Sequence, residues 1–217
     1  ASLNAGIQHE GASINWYRKP DGTKGESQNH FYVYGQDGEL CTSCNEALIE
    51  KKPVEIKRIG PWAWGETGHR GLRAARASLV FNMWVANLDL KEAENNKMAL
   101  KSGANGQYTL HHYQHDMGFA FGKMFREKPN SYPWQLVTGE SDTTIFMNFS
   151  SFQINSGFGH VTFADGKWMT RLIARLSRNQ IEDAVKLGGW PMHVEKLLVE
   201  KLIARRNQLV TAFDLTE

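Results

Sequence analysis

GLRAARASLVFNMWVANLDLKEAENNKMALK, residues 71–101, passes from a helical pattern through a polar loop into a strand-like run. Apolar residues recur at steps of three and four in its first part, and this predicts a buried helix over residues 68–88. NLDLKEAENN, residues 87–96, then holds an Asp, a Lys and paired Asn, which are more polar groups than a turn needs. The order predicts a helix that leads directly into a functional loop.

The residues after this loop predict a hairpin. KMALK and QYTLHHYQH, residues 97–101 and 107–115, are strand-like, and the SGANG between them supplies Gly and Asn for the turn. HDMGFAFG, residues 115–122, follows with a second Asp placed shortly before a Gly. Two Asp-bearing loops therefore flank one hairpin.

Helices are predicted for the C-terminal part. SRNQIEDAVKLGG has a cap at Ser177 or Asn179 and a stop at Gly188. The last helix begins near Pro191 and carries an apolar stripe, and the Lys and Arg on its other face predict a solvated surface. The polar residues 138–163 predict a loop region, either facing a substrate or simply solvated.

Composition indicates a globular, water-soluble chain. Of 217 residues, 41% are hydrophobic and 22% are charged, and no apolar run approaches the length needed to span a bilayer. A net charge of +2 is too small to argue by itself for nucleic acid or an anionic membrane. We expect a cytoplasmic protein without membrane contact. A change in composition predicts a boundary between a domain of residues 1–52 and a domain of residues 53–217.

Several short motifs follow one another in residues 2–52. They are Gly11-Ala12-Ser13, Asp21-Gly22, Gly25, Val33-Tyr34-Gly35 and the pair Cys41 and Cys44. In this order they resemble the C-terminal zinc-finger region of formamidopyrimidine-DNA glycosylases. The resemblance implies weak DNA contact and a zinc-finger-like site with half of its cysteines, completed by His30 or a dimer mate. The alternative is two free thiols on a turn. Base-excision chemistry is not expected, because that family uses an N-terminal Pro and an adjacent Glu and this sequence starts with Ala1-Ser2.

Residues 60–217 resemble the C-terminal lobe of atypical bacterial protein-kinase-like proteins, such as toxin-type serine kinases and lipid kinases. The resemblance rests on the helix, the loop NLDLKEAENN, the hairpin and HDMG, in that order. It implies that Asp89 is the catalytic base and that Lys91 contacts phosphate. Asn95 (or Asn96) and Asp116, followed by Gly118, would be the magnesium ligands. Asn95 lies six residues beyond Asp89, one more than in the common form.

Two further residues are predicted to contact nucleotide. Lys57 ends VEIK, which is similar to the strand that carries the ATP-binding lysine of kinases. Arg70 lies in GPWAWGETGHRG, residues 60–71, which is aromatic, Gly-rich and charged, as the lining of a pocket is. No Gly-rich phosphate loop precedes residue 60, so an upper lobe is not visible in the sequence.

The predicted fold is α+β, with a mainly helical kinase-like lower lobe, one hairpin and a small β-rich N-terminal segment. The predicted function is a kinase-like phosphotransferase module, active or degenerate, that uses ATP and Mg²⁺ on a protein or small-molecule phosphate acceptor. The alternative is a non-catalytic module that binds protein or nucleic acid through the glycosylase-like segment. A structural alternative exists for each loop, since a lone Asp often serves as a cap or turn residue.

Overall fold

The computed structural model describes residues 17–18, 24–25, 56–115, 117, 119–121, 132–152, 156–188 and 190–215. Within this part of the chain, none of the helices has the length and apolar character needed to cross a membrane. The chain divides into two units. The first comprises residues 1–51 and 186–189, and the second comprises residues 52–185 and 190–217.

Two short antiparallel strands are described in the first unit. Strand β1 (Tyr17–Arg18) pairs with β2 (Lys24–Gly25), and Arg18 lies opposite Lys24. The sequence between them, KPDGT, is rich in residues that favour turns.

The second unit contains small antiparallel sheets and helices, as the α+β prediction requires. Its strands are β3 (Ile56–Pro61), β4 (Asn96–Ser102), β5 (Tyr108–Gln114), β6 (Val137–Glu140) and β7 (Ile145–Met147). Its α-helices are α1 (Thr67–Arg70), α2 (Arg73–Trp84), α3 (Glu92–Asn95), α4 (Phe163–Ala174), α5 (Arg178–Lys186) and α6 (Met192–Ala212). Two turns of 3₁₀-helix cover Ala104–Gly106 and Ser156–His160.

The predicted hairpin, β4–β5, belongs to a three-stranded sheet of order β3–β4–β5, in which β4 is the middle strand. Asn96 pairs with Gln114 at one end of the β4–β5 ladder, and Ser102 pairs with Tyr108 at the other. The turn uses Asn105 and Gly106 at φ values of 72° and 70°, a backbone conformation that Asn and Gly tolerate well. The sequence signal for this hairpin is therefore confirmed, including its turn residues.

The helix predicted over residues 68–88 is shorter and broken. Residues 71–72 separate α1 from α2, and α2 ends at Trp84. Ala86 has a positive φ of 47°, which a right-handed helix excludes, so the chain turns sharply into the polar loop. The apolar pattern nevertheless identifies the buried side of α2, where Leu79, Val80, Met83 and Trp84 lie in the core.

The C-terminal helices follow their predicted signals. Ser177 Oγ accepts from the amide of Gln180 at 3.2 Å, and Gln180 Oε1 accepts from the amide of Ser177 at 2.9 Å. This reciprocal pair is a capping box that starts α5, with Ser177 rather than Asn179 as the cap. Pro191 immediately precedes α6. The loop prediction for residues 138–163 is wrong in part, because this stretch contains most of the β6–β7 hairpin.

One basic residue of α6 overturns the prediction of a wholly solvated face. Arg205 is fully buried. Its guanidinium donates to the carbonyls of Trp84 (2.8 Å), Pro133 (2.7 Å) and Met83, and it stacks 4.7 Å from the ring centroid of Tyr132. The physical reason is that the C-terminal carbonyls of α2 need donors, and the planar fork of an arginine reaches several at once.

Two hydrophobic clusters form the core of the second unit. The larger one joins α2, α5 and α6 and includes Trp84, Tyr132 and Leu209. The smaller one contains Trp62, Trp64, Ala75, Leu79 and Leu90. Phe149, Phe158 and Val161 are partly buried and pack against both clusters.

Helix α4 is anchored to α2 through Asp165. Its carboxylate accepts from Arg76 at 2.7 and 2.9 Å and from the amide of Thr162 at 2.9 Å, while Thr162 Oγ1 accepts from the amide of Asp165. Burial would raise the pKa of Asp165, but the hydrogen bonds from Arg76 and Thr162 outweigh it and hold this pKa below the ordinary value. The next residue, Gly166, faces the ring of Phe213 at the end of α6.

Candidate functional site

The loop NLDLKEAENN lies between α2 and β4 and holds Asp89 in the interior. Asp89 is 3% exposed, and Lys91 Nζ lies 3.7 Å from its Oδ2. The same ammonium lies 3.2 Å from Glu94 Oε2. Contact with Glu94 and the charge of Asp89 raise the pKa of Lys91. Lys91 therefore stays a cation beside a buried carboxylate.

Asn95 is positioned against Asp89 by one buried hydrogen bond. Its Nδ2 donates to the backbone carbonyl of Asp89 at 3.0 Å, which fixes the orientation of the amide. The atom of an asparagine that binds a hard cation is Oδ1, and this contact does not use it. The spacing from Asp89 to Asn95 is one residue longer than in the common kinase form. The two residues still come into contact, because α3 brings the chain back towards the loop.

The second predicted loop is tied to the first on both sides. The amide of His115, immediately before Asp116, donates to the carbonyl of Asn95 at 2.9 Å. On the other side, the amide of Leu88 donates to the carbonyl of Phe119 at 3.4 Å. Asp116 and Gly118 themselves lie outside the described residues, so the proposed role of Asp116 stays a prediction.

A chain of hydrogen-bonded side-chain amides joins this loop to α2 and β5, and the sequence analysis did not predict it. Asn87 Nδ2 donates to Asn82 Oδ1 at 2.9 Å, and Asn82 Nδ2 donates to Gln114 Oε1 at 2.8 Å. Gln114 Nε2 in turn donates to Asn96 Oδ1 at 3.1 Å. The available signal was Asn82, an amide on the apolar face of a helix. Such a residue needs a buried partner.

Two polar atoms in this region are buried without a hydrogen-bond partner among the described residues. They are Asp89 Oδ1 and Asn96 Nδ2. A buried acceptor that lacks a donor costs about 1–3 kcal/mol, so proteins rarely keep one without a reason. Asp89 is the more informative of the two because it is a carboxylate beside a lysine.

The two residues predicted to contact nucleotide occupy the surface of the second unit. Lys57 is exposed on β3 and pairs with Leu100, four positions along β4 from Asn96, or roughly 13 Å from the loop end of the strand. Arg70 is exposed at the end of α1, and its carbonyl accepts from Arg76 at 2.6 Å. Nothing in their contacts links them to Asp89, and their nucleotide role stays a prediction.

Histidine and cysteine side chains are also common metal ligands. His112 packs against Trp62 and His69, with ring centroids 5.7 and 5.0 Å away. Burial and the nearby His69 lower the pKa of His112. His111 is exposed on the same strand. Cys41, Cys44 and His30 lie outside the described residues. Within the described ranges, no three His, Cys, Asp or Glu side chains come close enough to hold a metal ion.

The comparisons with known proteins match one part of the chain. A formamidopyrimidine-DNA glycosylase of Exiguobacterium sp. is 42% identical over 52 residues, which are 24% of this chain and 19% of that protein. Those of Streptococcus pyogenes serotype M3 and Carboxydothermus hydrogenoformans are 36% and 38% identical over 50 residues. The matched segment thus spans about a fifth of the length of these relatives. No family model matches, and no solved structure does.

These matches support the resemblance to glycosylases. They give no support to the resemblance to kinases. The similarity concerns a segment of about fifty residues, which is the length of the motif series in residues 2–52. ATP and Mg²⁺ therefore have no support from relatives, whereas a zinc-finger-like segment has. The two cysteines of the chain supply half of the four ligands that a structural zinc normally takes, so the chain's thiolates alone do not close such a site.

Proposed function

We propose that this protein binds DNA through its glycosylase-like segment. The observation that carries the proposal is the 42% identity over 52 residues with a protein whose name states DNA as its substrate. The register of the first unit adds support, because Arg18 and Lys24 lie opposite each other on paired strands. Arginine and lysine are the residue types that bind DNA phosphates, and such contacts are independent of base sequence.

Binding should be measured with a fluorescent duplex of random sequence in a salt titration. We expect an affinity that falls steeply with salt, with a slope of about 0.9 for each phosphate contact. The double variant Arg18→Gln/Lys24→Gln should lower that slope by about 2 units. The matched control is Arg171→Gln/Lys196→Gln, two exposed cations on α4 and α6, which should change little.

Two outcomes would contradict this function. One is an affinity that is independent of salt. The other is an equal loss in the test and control variants, since that would indicate diffuse attraction to net charge instead of contact through the β1–β2 pair.

We propose as a second candidate that the Asp89 loop is a phosphate and magnesium site. The unpartnered Oδ1 of buried Asp89, with Lys91 at 3.7 Å and Asn95 held against its backbone, favours this candidate. Carboxylate and amide oxygens suit Mg²⁺, which would neutralise phosphate charge when bound. In this candidate Asp89 orients an attacking hydroxyl, Lys91 contacts a phosphate oxygen, and Asn95 and Asp116 provide ligand oxygens.

A thermal-shift series with ATP and Mg²⁺ tests the candidate. The wild-type melting temperature should rise by about 2–4 °C, and the rise should be absent in Asp89→Asn and Asp116→Ala. Without ligand, Asp89→Asn should melt no lower than wild type, because it removes a charge from a site where one oxygen has no donor. Asp183→Asn, an exposed change on α5, is the control.

Failure has a clear form here. A wild type that does not respond to any concentration of Mg-ATP, or an Asp89→Asn variant that responds equally, removes the phosphotransferase candidate. Neither result affects DNA binding by the first unit.

A further inference from the structure

A cavity of about 480 Å³ lies in the second unit, away from the Asp89 loop. Its walls come from α2, the β6–β7 hairpin, the start of α4 and the C-terminal end of α6. This volume is within the range of natural small-molecule sites. Neither candidate function uses it.

The floor of the cavity is apolar. Val80 and Met83 of α2, Ile145 and Met147 of β7, and Phe158 and Phe213 line it. Phe163 stands at the mouth with 49% of its surface exposed, and its ring centroid lies 5.3 Å from that of Phe213. An exposed aromatic ring at the entrance of an apolar cavity is a surface that a ligand can cover.

The rim is acidic. Glu140 and Asp142 on the β6–β7 hairpin and Asp214 after α6 all line the cavity, and all three are exposed. Four hydroxyl-bearing residues also line the cavity: Ser141, Thr143, Thr144 and Thr162. Among the described residues that line the cavity, none carries a cationic side chain. Lys167 Nζ, which donates to the carbonyl of Asp214, is one positive charge beside these three carboxylates, so the net charge at the rim favours a cationic ligand.

The protein itself shows how an ammonium group is held at this mouth. Lys167 Nζ donates to the backbone carbonyl of Asp214 at 3.1 Å and lies 5.8 Å from the ring centroid of Phe163. A carbonyl and the face of an aromatic ring are the two neutral partners that stabilise an ammonium. The carboxylates of the rim are charged partners for a second ammonium group.

We propose that this cavity binds a small organic amine, with its ammonium at the carboxylates of Glu140, Asp142 and Asp214 and its apolar body on the floor. Exposed ion pairs contribute little affinity each, so apolar contact supplies most of the binding. The carboxylates determine which charge is accepted. The site is independent of both candidate functions, because it shares no residue with the first unit or with the Asp89 loop.

The test uses the 217-residue chain and three probes that share one apolar body: phenylbutylamine, phenylbutanol and phenylbutanoate. Methyl-¹³C methionine NMR reads the site directly, because Met83 and Met147 line the cavity whereas Met98 and Met192 do not. We expect the amine to shift the signals of Met83 and Met147 alone. The alcohol should bind about tenfold more weakly and the carboxylate weaker still.

A triple variant, Glu140→Gln/Asp142→Asn/Asp214→Asn, should lose the preference for amine over alcohol while still binding both. Glu182→Gln/Asp183→Asn on α5 is the control and should keep the full preference. Equal binding of amine and alcohol by the wild type would overturn the proposal. So would shifts that spread to Met192, or an unchanged preference in the triple variant.

Discussion

Replacing Arg205 with Met should lower the free energy of unfolding by about 2–4 kcal/mol. The side chain is fully buried and donates to three backbone carbonyls, so Met would fill a similar volume without any donor. Trp84 would keep the hydroxyl of Tyr132 as a donor at 2.9 Å. The carbonyls of Met83 and Pro133 would lose the hydrogen bond that the Arg205 guanidinium donates. Relief from burying a guanidinium offsets part of the loss.

Urea titrations followed by far-ultraviolet circular dichroism measure this effect. Arg205→Lys should fall between wild type and Arg205→Met, because one ammonium does not span carbonyls that a planar fork reaches together. The control Arg171→Met replaces an exposed arginine of α4 and should change stability by no more than about 0.5 kcal/mol. A stable Arg205→Met protein would mean that burial of the charge costs as much as its hydrogen bonds contribute.

Gly166→Ala should cost about 1–3 kcal/mol, although Ala is normally the better residue inside a helix. An added Cβ would lie 2.2 Å from two carbons of the Phe213 ring, and that ring is buried. The buried ring of Phe213 or one of the two helices must therefore shift. The same urea titrations give the measurement.

Phe213→Leu provides the decisive partner for a double-mutant cycle. When the ring is gone, Gly166→Ala should become neutral or stabilising by up to about 1 kcal/mol, because only helix propensity remains. Gly159→Ala is the control, since nothing lies within 4 Å of its added Cβ. Strictly additive effects of Gly166→Ala and Phe213→Leu would contradict the packing described for α4 and α6.

Much of the local structure could be predicted from sequence because its signals are local. The β4–β5 hairpin depends on Asn105 and Gly106, and the start of α5 depends on Ser177 and Gln180, and each pair lies within a few residues. The break before α2 was missed because the apolar pattern continues across residues 71–72. A hydrophobic period reports which face is buried. It does not report where the helix ends.

The parts that sequence could not supply depend on distant partners. Arg205 is indistinguishable from Arg206 in the sequence, and only the approach of the α2 terminus makes one of them a core residue. The amide chain from Asn87 to Asn96 likewise needs Gln114, which comes from another strand. Asp89, Lys91 and Asn95 could be grouped from the sequence because they lie close along the chain, and the structure brings Lys91 and Asn95 into contact with Asp89. Their role in a functional site stays a prediction. The cavity between α2, the β6–β7 hairpin, α4 and α6 is built from segments that are distant in sequence, so no sequence motif marks it.

The three side chains shared by the two core clusters, Phe149, Phe158 and Val161, have a consequence for cooperativity. A cluster that held only its own residues could open by itself, as a separate foldon. Here a fluctuation that frees Trp64 and Leu90 also uncovers surface that the larger cluster needs. We therefore expect local opening around the Asp89 loop to be coupled to global unfolding. The backbone amides of this loop should then exchange with solvent about as slowly as those of the core.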